Sequence, residues 1–391
     1  MAKVSIIVPT FNVEPYLKEC MESITHQTLE DIEIICINDG STDGSLAILK
    51  SYAEKDSRIK LVDKENGGYG IGMNIGFGLA TGEYIGIVEP DDFVPVNMFG
   101  DLYDIASKND LDWVKADFYR FQRASNGDMF CEYNHLDRKN QYYNKVFNPS
   151  QTPEAIRFIM NTWSGIYKKA FLDKFNIRHN ETPGASFQDN GFWFQTFAFA
   201  ERGMIIDKPY YMNRRDNPNS SVKNMQKIYC INVEYDHIRD ILIQYPETWE
   251  TFKTYYTLKR FHNSVATLRR IANEFKHDYV IRFSKEMKRA RELGEMDEEL
   301  FTPAERDNLH MLINQPEMYY KIKALPMNNG STNFNNNIKE VKAELDKIKR
   351  SKSYRIGRMI MYIPVRFKRL AKKIYRKINQ KRRGYKKNGL Y

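Results

Sequence analysis

Apolar and polar positions alternate between two periods over the first ninety residues, and the switching predicts strands and helices in turn. Lys3-Val-Ser-Ile-Ile-Val8 is a near-continuous apolar run, the pattern of a strand buried on both faces, and Pro9-Thr10-Phe11-Asn12 breaks it. Leu17, Met21 and Ile24 then share one face of a helix predicted over about Glu14 to Thr25, with Pro15 tolerated in its first turn. A second strand, Ile32–Ile37, ends in Asn38-Asp-Gly-Ser-Thr-Asp-Gly44, where Thr42 or Asp43 can cap a helix from Ser45. A third, Ile59–Val62, runs into Glu65-Asn-Gly-Gly-Tyr-Gly70, and a helix over about Ile71 to Ala80 returns to a strand over Glu83–Val88. Strand and helix alternating in this way predict a doubly wound α/β domain.

In such sheets ligands bind beyond the carboxyl ends of the strands. The polar clusters Thr10–Asn12, Asn38–Asp43, Asn66–Gly70 and Glu89–Asp92 all fall there. The last crowds Glu89, Asp91 and Asp92 after a buried strand. Like charges so close raise one another's pKa unless a cation neutralises them, and hard carboxylate oxygens suit Mg²⁺ or Mn²⁺. A helix N-cap is the alternative. Gly68-Tyr-Gly-Ile-Gly72 is not a dinucleotide fingerprint, because no window reads Gly-x-Gly-x-x-Gly and it follows the third strand. No phosphate-binding Gly-x-x-x-x-Gly-Lys-Ser/Thr occurs.

Val4-Ser-Ile-Ile-Val-Pro-Thr-Phe-Asn12 with Glu14, Asn38-Asp-Gly-Ser-Thr-Asp43, Asn66-Gly-Gly68 with Gly70 and Asn74, Thr81-Gly-Glu-Tyr84 and Glu89-Pro-Asp-Asp92 together resemble the family 2 glycosyltransferases. A weaker resemblance continues through Trp163-Ser-Gly-Ile-Tyr167, Phe187-Gln-Asp-Asn-Gly-Phe192 and Asn217-Pro-Asn-Ser-Ser221. The resemblance implies a GT-A fold and an inverting enzyme that uses a nucleotide-sugar donor, a UDP-sugar first among them. It further implies that Asp39 accepts the uracil N3–H, an acceptor's task. Pro9, Thr10 and Asn12 would line the base pocket near Glu14, with Asn66, Gly67 and Asn74 on the donor side. Glu89 stands at the first position of the family's Asp-x-Asp element, so a ribose contact comes from a longer arm. Asp91 matches the metal-binding Asp and would hold Mn²⁺ or Mg²⁺ against the diphosphate, with Asp92 supporting the loop or the acceptor. Met73 occupies a position where the family often has Arg.

Asp189 in Gln188-Asp-Asn-Gly-Phe192 is the candidate general base, because direct displacement at the anomeric carbon needs a carboxylate to take the acceptor's proton. Burial against Phe187, Phe192 and Trp193 would set its pKa; a cap on the helix Asn190–Ala200 is the alternative. Arg214 and Arg215 open a polar loop reaching Ser220 and Ser221, after a strand around Pro209–Met212. Either could clamp a diphosphate through forked donors, or the loop is merely solvated. His179 reads as a surface histidine, and Trp163 as a sugar platform or a core residue.

From about Met225 the pattern turns helical, rich in Tyr, Lys, Arg and Glu, and punctuated by Pro246 and Pro303. The expected organisation is therefore a transferase domain at 1–224, a helical accessory domain at 225–325, a linker at 326–333 and a helical, strongly basic tail at 334–391. Phe334, Ile338, Val341, Leu345 and Ile348 form a short seam, over 334–348, that would pack on its own or against a second copy.

Charge sharpens this division. The 391-residue chain carries +10, yet the residues after Asp346 hold 18 Lys/Arg and no acid, leaving −8 on residues 1–346. Between those basic residues Ile356, Met359, Ile360, Ile363, Phe367, Leu370, Ile374 and Ile378 recur at helical spacing. A basic amphipathic segment of this kind is expected on an anionic membrane surface, with a merely disordered tail as the alternative. Nucleic acid would be drawn by the same charges but is not expected, since no aromatic-rich nucleic-acid module accompanies them. Four scattered cysteines without a Cys-x-x-Cys pair, no signal peptide and no run of about 20 apolar residues point to the cytoplasm, on the inner face of the membrane. The expected activity is transfer to a surface polysaccharide or lipid-linked glycan. The rivals are a sugar-phosphate nucleotidyltransferase, which needs a Gly-rich basic loop after the first strand, and a membrane- or nucleic-acid-binding protein with an inactive transferase domain.

Overall fold

The computed structural model describes residues 2–159, 161–185, 187–219, 225, 227–325 and 350. The linker at 326–333, the seam over 334–348 and the basic tail therefore lie outside the described residues, Arg350 excepted, as do Ser220 and Ser221. Met1–Leu325 form one compact unit.

Four parallel strands run side by side in the order β3 (Ile59–Lys64), β2 (Ile32–Asp39), β1 (Val4–Thr10) and β4 (Tyr84–Ile87). Beyond β4 the sheet turns mixed. β7 (Gly165–Lys168) is antiparallel to β4, and β5 (Trp113–Arg123) is antiparallel to both β7 and β6 (Met129–Asn134). The long β8 (Gly203–Arg214) pairs parallel with β5 through a bulge at Ala116–Phe118. The parallel half is what the alternation predicts, and the mixed sheet as a whole is the GT-A arrangement that the resemblance implies.

The parallel strands reach further than their apolar runs suggest. β1 continues through Pro9 and Thr10, opposite Ile37 and Asn38. Ile7 O faces β4 and accepts Val88 N, and Pro9 lies two residues on, so its missing N–H points to the same side. β4 has ended there at Ile87, and the proline costs no ladder bond. β2 likewise carries Asn38 and Asp39 in register with Asp63 and Lys64, which sets these polar side chains on rigid backbone.

Helices α1 (Glu14–Thr25), α2 (Ser45–Ala53), α3 (Tyr69–Leu79) and α4 (Met98–Lys108) connect the strands. α5 (Lys169–Lys174) and α6 (Asp189–Phe199) follow β7. α7 (Cys230–Leu242) and the first half of α8 (Pro246–Arg270) are continuous with the sheet's hydrophobic core, which runs from Val4 and Ile6 to Trp249, Phe252 and Tyr256. A second core begins at Leu258 and joins the rest of α8 to α9 (Asn273–Glu292), α10 (Pro303–Asn314) and α11 (Pro316–Tyr319). The helical region thus extends the transferase core.

At the amino edge of the sheet one buried carboxylate ties three connections together. Glu33 Oε1 accepts Ser5 Oγ at 2.5 Å, Thr81 N at 2.6 Å and Gly82 N at 3.2 Å, while Lys60 Nζ reaches Oε2 at 2.5 Å. The carboxyl edge is left for the site.

Candidate active site

Asp39 ends β2 with its carboxylate spread over the next loop. Gly67 N and Gly68 N donate to Oδ1 and Oδ2, each at 2.8 Å, Lys64 Nζ joins Oδ1, and Asn66 Nδ2 reaches Asp39 O at 3.0 Å. Burial works the other way, yet Lys64 and the two amides hold this carboxyl below its ordinary range. One lone pair of Oδ2 remains for a ligand donor.

The residues expected to line the base pocket also hold the local backbone. Thr10 is buried, its hydroxyl returning to Val8 O at 3.4 Å. Asn12, with φ of +50°, accepts Thr42 N through Oδ1 at 2.8 Å, and Glu14 Oε2 accepts Gly44 N at 2.7 Å. Both side chains secure the turn that opens α2. Asp43 takes part too, accepting Ser45 N and Glu14 N, each at 3.0 Å. Pro9 stays partly exposed at the strand end. Asn74 is tied to the segment before α6. Its amide exchanges hydrogen bonds of 2.9 Å with His179 O and His179 N.

The acidic turn after β4 is held from two sides. Glu89 Oε1 accepts Tyr69 Oη at 2.9 Å, and Glu89 N donates to Tyr211 Oη at 2.9 Å. Burial first, then the charges of Asp91 and Asp189, push Glu89 up to about 8, against the pull of the Tyr69 bond. Buried Asp92 accepts Arg214 N at 2.6 Å and Asn213 Nδ2 at 3.1 Å, and burial together with Asp91 drives its pKa well up. Asp91 Oδ2 accepts Asn217 Nδ2 at 2.8 Å.

Arg214 corrects the expectation of a diphosphate clamp. Its guanidinium lies 4.6 Å from the ring centres of both Tyr16 and Phe121. Nε donates to Asp91 O at 2.7 Å, Nη2 pairs with Glu19, and Nη1 pairs with Asp216 at 3.4 Å. It ends β8 as a buried prop beneath the acidic turn, its side chain 4% exposed, paired with two carboxylates and stacked on two rings. Arg215 is exposed, with its amide on Phe121 O. Trp163 stacks on Tyr211 at 4.3 Å and meets Phe118 edge-on at 4.8 Å, a half-buried place beside the same turn.

Asp189 opens α6 across from this turn. A Cβ at Gly70 would stand 2.0 Å from Asn180 O, and one at Gly68 2.6 Å from Gly184 N. The segment leading to Asp189 therefore lies directly on the start of α3, beside the loop that Asp39 holds. Asp189 Oδ1 accepts Asn190 Nδ2 at 3.0 Å, and burial pushes its pKa up. Its charge acts on both Glu89 and Tyr69. Asp39, Asp91 and Asp189 thus border one edge of the sheet. His179 is no surface residue: it is 2% exposed, stacked between Phe77 and Phe192. Burial lowers its pKa to about 3 and keeps the ring neutral.

Among the described residues no three His, Cys, Asp or Glu side chains converge as a metal cage. A site centred on Asp91 alone does fit. No described donor occupies Asp91 Oδ1, and the charge of Asp91 raises the pKa of both Glu89 and the buried Asp92 beside it. Mg²⁺ or Mn²⁺ bound through one carboxylate, with ligand phosphates completing the shell, matches that chemistry.

Comparison with known proteins now decides the family. Residues 5–173 match the model of glycosyl transferase family 2. Glycosyltransferase GlyG of Streptococcus pneumoniae is 32% identical over 225 residues, 54% of this chain and 70% of GlyG. The chain is a family 2 glycosyltransferase. EpsJ of Bacillus subtilis, an uncharacterized glycosyltransferase, is 37% identical over 219 residues, 56% of this transferase and 62% of EpsJ, so the match spans less than two thirds of that relative. The crystal structure of S. aureus TarS 1-349 in complex with UDP-GlcNAc superposes with a TM-score of 0.57 at 19% identity, covering 82% of the transferase and 90% of that chain, which establishes the shared GT-A fold. No helix among the described residues is long and apolar enough to cross a membrane.

Two residues of the site went unseen in the sequence. Tyr69 hides in a glycine-rich run. Glu234 lies on α7, where the buried face is Ile231, Glu234, Tyr235, Ile238 and Leu242. An acid three residues after one member of an apolar stripe and four before another was the available signal.

Proposed function

We propose that the transferase moves a sugar from a UDP-sugar to a hydroxyl of a surface polysaccharide or lipid-linked glycan, inverting the anomeric centre. The observation that carries this reading is that Asp189 stands near enough to the Glu89–Asp92 turn for its charge to act on Glu89, on a segment packed beside the loop that Asp39 holds. Asp39 and the Asn66–Gly68 backbone receive the uracil, and Glu89 lies toward the ribose. Asp91 holds Mn²⁺ or Mg²⁺, which when bound offsets the charge developing on the departing diphosphate. Asp189 takes the acceptor hydroxyl's proton as that oxygen bonds to the anomeric carbon and the bond to the diphosphate breaks. A pKa raised by burial makes this carboxylate a stronger base toward the acceptor hydroxyl. The TarS crystal structure is a complex with UDP-GlcNAc, which supports a uridine donor.

The acceptor reading draws on the basic segment beyond Asp346, which is suited to an anionic membrane where lipid-linked glycans reside. Asp189→Asn tests the core of the proposal. UDP affinity should stay within about twofold while turnover of a UDP-sugar panel falls by ~10² or more. Unchanged turnover excludes Asp189 as the base.

A further inference from the structure

The helical region grips the segment carrying Asp189 at several points. Asn180 Nδ2 donates to Glu234 Oε2 at 3.1 Å, Lys227 Nζ donates to Ala185 O, and the Arg270 guanidinium lies 4.8 Å over the Phe187 ring. The closest grip is on α6 itself. Gly191 N donates to Glu234 Oε1 at 2.9 Å, and a Cβ at 191 would stand 2.1 Å from that oxygen. Glu234 is fully buried, and α6 has no side-chain cap of its own.

The first amides of a helix lack internal partners and need acceptors from elsewhere. Gly191 N is one of them, and α7 supplies its acceptor. An acid buried in an apolar stripe is costly unless its hydrogen bonds are made, and here both oxygens are engaged. We propose that Glu234 is a positioning residue for Asp189. It fixes the first turn of α6 through the Gly191 amide and the preceding loop through Asn180. This inference rests on the reading of Asp189 as general base, and it makes the helical region part of the catalytic apparatus.

Burial, with the charge of Asp189 adding to it, pushes Glu234 up to about 8. Near neutral pH it is therefore chiefly an uncharged hydrogen-bonding group. Asp189 is the titratable group acting on it, and Asn180 and Gly191 are its neutral partners. Glutamine at 234 can reproduce these contacts, with Asn180 presenting either end of its amide.

The experiment compares Glu234→Ala, Glu234→Gln and Gly191→Ala in the full chain, following UDP affinity by calorimetry and kcat and KM for UDP-glucose and UDP-N-acetylglucosamine hydrolysis. Misplacing a catalytic group by about 1 Å costs up to ~10²-fold. Glu234→Ala should lose roughly 10- to 100-fold in kcat with KM and UDP affinity unchanged, and Glu234→Gln should restore most of it. Gly191→Ala leaves the acid in the chain but blocks its seat, in a helix that tolerates alanine well. It should reproduce the kcat loss even if Glu234→Ala fails to fold. Wild-type kcat in folded Gly191→Ala overturns the proposal, as does a joint loss of kcat and UDP affinity that glutamine does not repair. Should Asp189→Asn turn over like the wild type, the general-base reading itself is wrong. If that variant is inactive while the 191 and 234 variants are active, only the positioning role is.

Discussion

Tyr69 Oη donates to Glu89 Oε1 at 2.9 Å, so the first residue of α3 and the first acid of the turn after β4 are directly joined. The bond links the loop held by Asp39 to the turn that bears Asp91. It also makes Glu89 the balance point of the site, since burial and two neighbouring carboxylates favour its neutral form while the Tyr69 hydroxyl favours the charged one.

Removing that hydroxyl should therefore move a titration. Tyr69→Phe is expected to push Glu89 further above 8, and the corresponding limb in the pH dependence of UDP-sugar binding should shift alkaline. Glu89→Gln tests the same balance through stability. A carboxyl raised from 4.5 to about 8 contributes stability at low pH that is lost as pH rises through that window. Glutamine does not titrate, so the variant should gain on the wild type between about pH 5 and 8, by about 1–3 kcal/mol at the upper end, since Glu89 is only partly buried. Urea unfolding at pH 5 and pH 8.5 measures it. A gap that does not change with pH would show that Glu89 carries no such strain.

Asp91→Asn keeps the shape of the side chain and its bond to Asn217 but removes the charge. UDP affinity in Mn²⁺ should drop by ~10-fold or more, and chelation with EDTA should have no further effect. The wild type should lose affinity on chelation. Calorimetric titrations with and without the metal give both numbers, and an EDTA-sensitive Asp91→Asn protein would move the metal elsewhere.

How much of this was open to reading depended on whether a residue's role was local. The strand-helix alternation and the clustering of polar residues at strand ends follow from periodicity, and the parallel half of the sheet appeared with them. Asp39, Asp91 and Asp189 were picked out because each sits in a short run that resembles the family's pattern. Asn12, Glu14 and Asn74 look the same in sequence, yet they hydrogen-bond to segments many residues away, and no local pattern says which partner a side chain takes. Arg214 failed for the same reason. Its rings, Tyr16 and Phe121, come from two distant elements. Glu234 lies in the helical half, where charge in an apolar stripe was the sole mark.

Arg214→Lys follows from that correction. Lysine keeps the charge but loses the fork that serves Glu19, Asp216 and Asp91 O together, and it stacks poorly between Tyr16 and Phe121. Disturbing a buried pair in this way should cost about 2–4 kcal/mol of stability. The Asp91 turn should loosen with it, weakening Mn²⁺-dependent UDP binding. Had Arg214 served as a diphosphate clamp on an exposed loop, the stability would hardly change and only UDP affinity would fall.

Glu33 gives the clearest pH signature in the molecule. Burial opposes its ionisation, but Lys60, Ser5 and Thr81 outweigh this and hold it at about 2. A carboxylate depressed in the folded state contributes stability that is present above its ordinary pKa and is lost as pH falls through the folded value. The window therefore runs from about pH 4.5 down to about 2. Its side chain is 8% exposed, so solvent screens the effect little, and about 2–3 kcal/mol is at stake. Glu33→Gln should lose that amount at pH 7, because Lys60 Nζ then faces an amide while Thr81 N and Gly82 N keep an acceptor. At pH 2.5 the wild type has given up most of the same stability, and the two unfolding midpoints should approach each other. Equal spacing of the midpoints at both pH values would mean that the carboxylate's charge contributes nothing to joining β1, β2 and β4 at this edge.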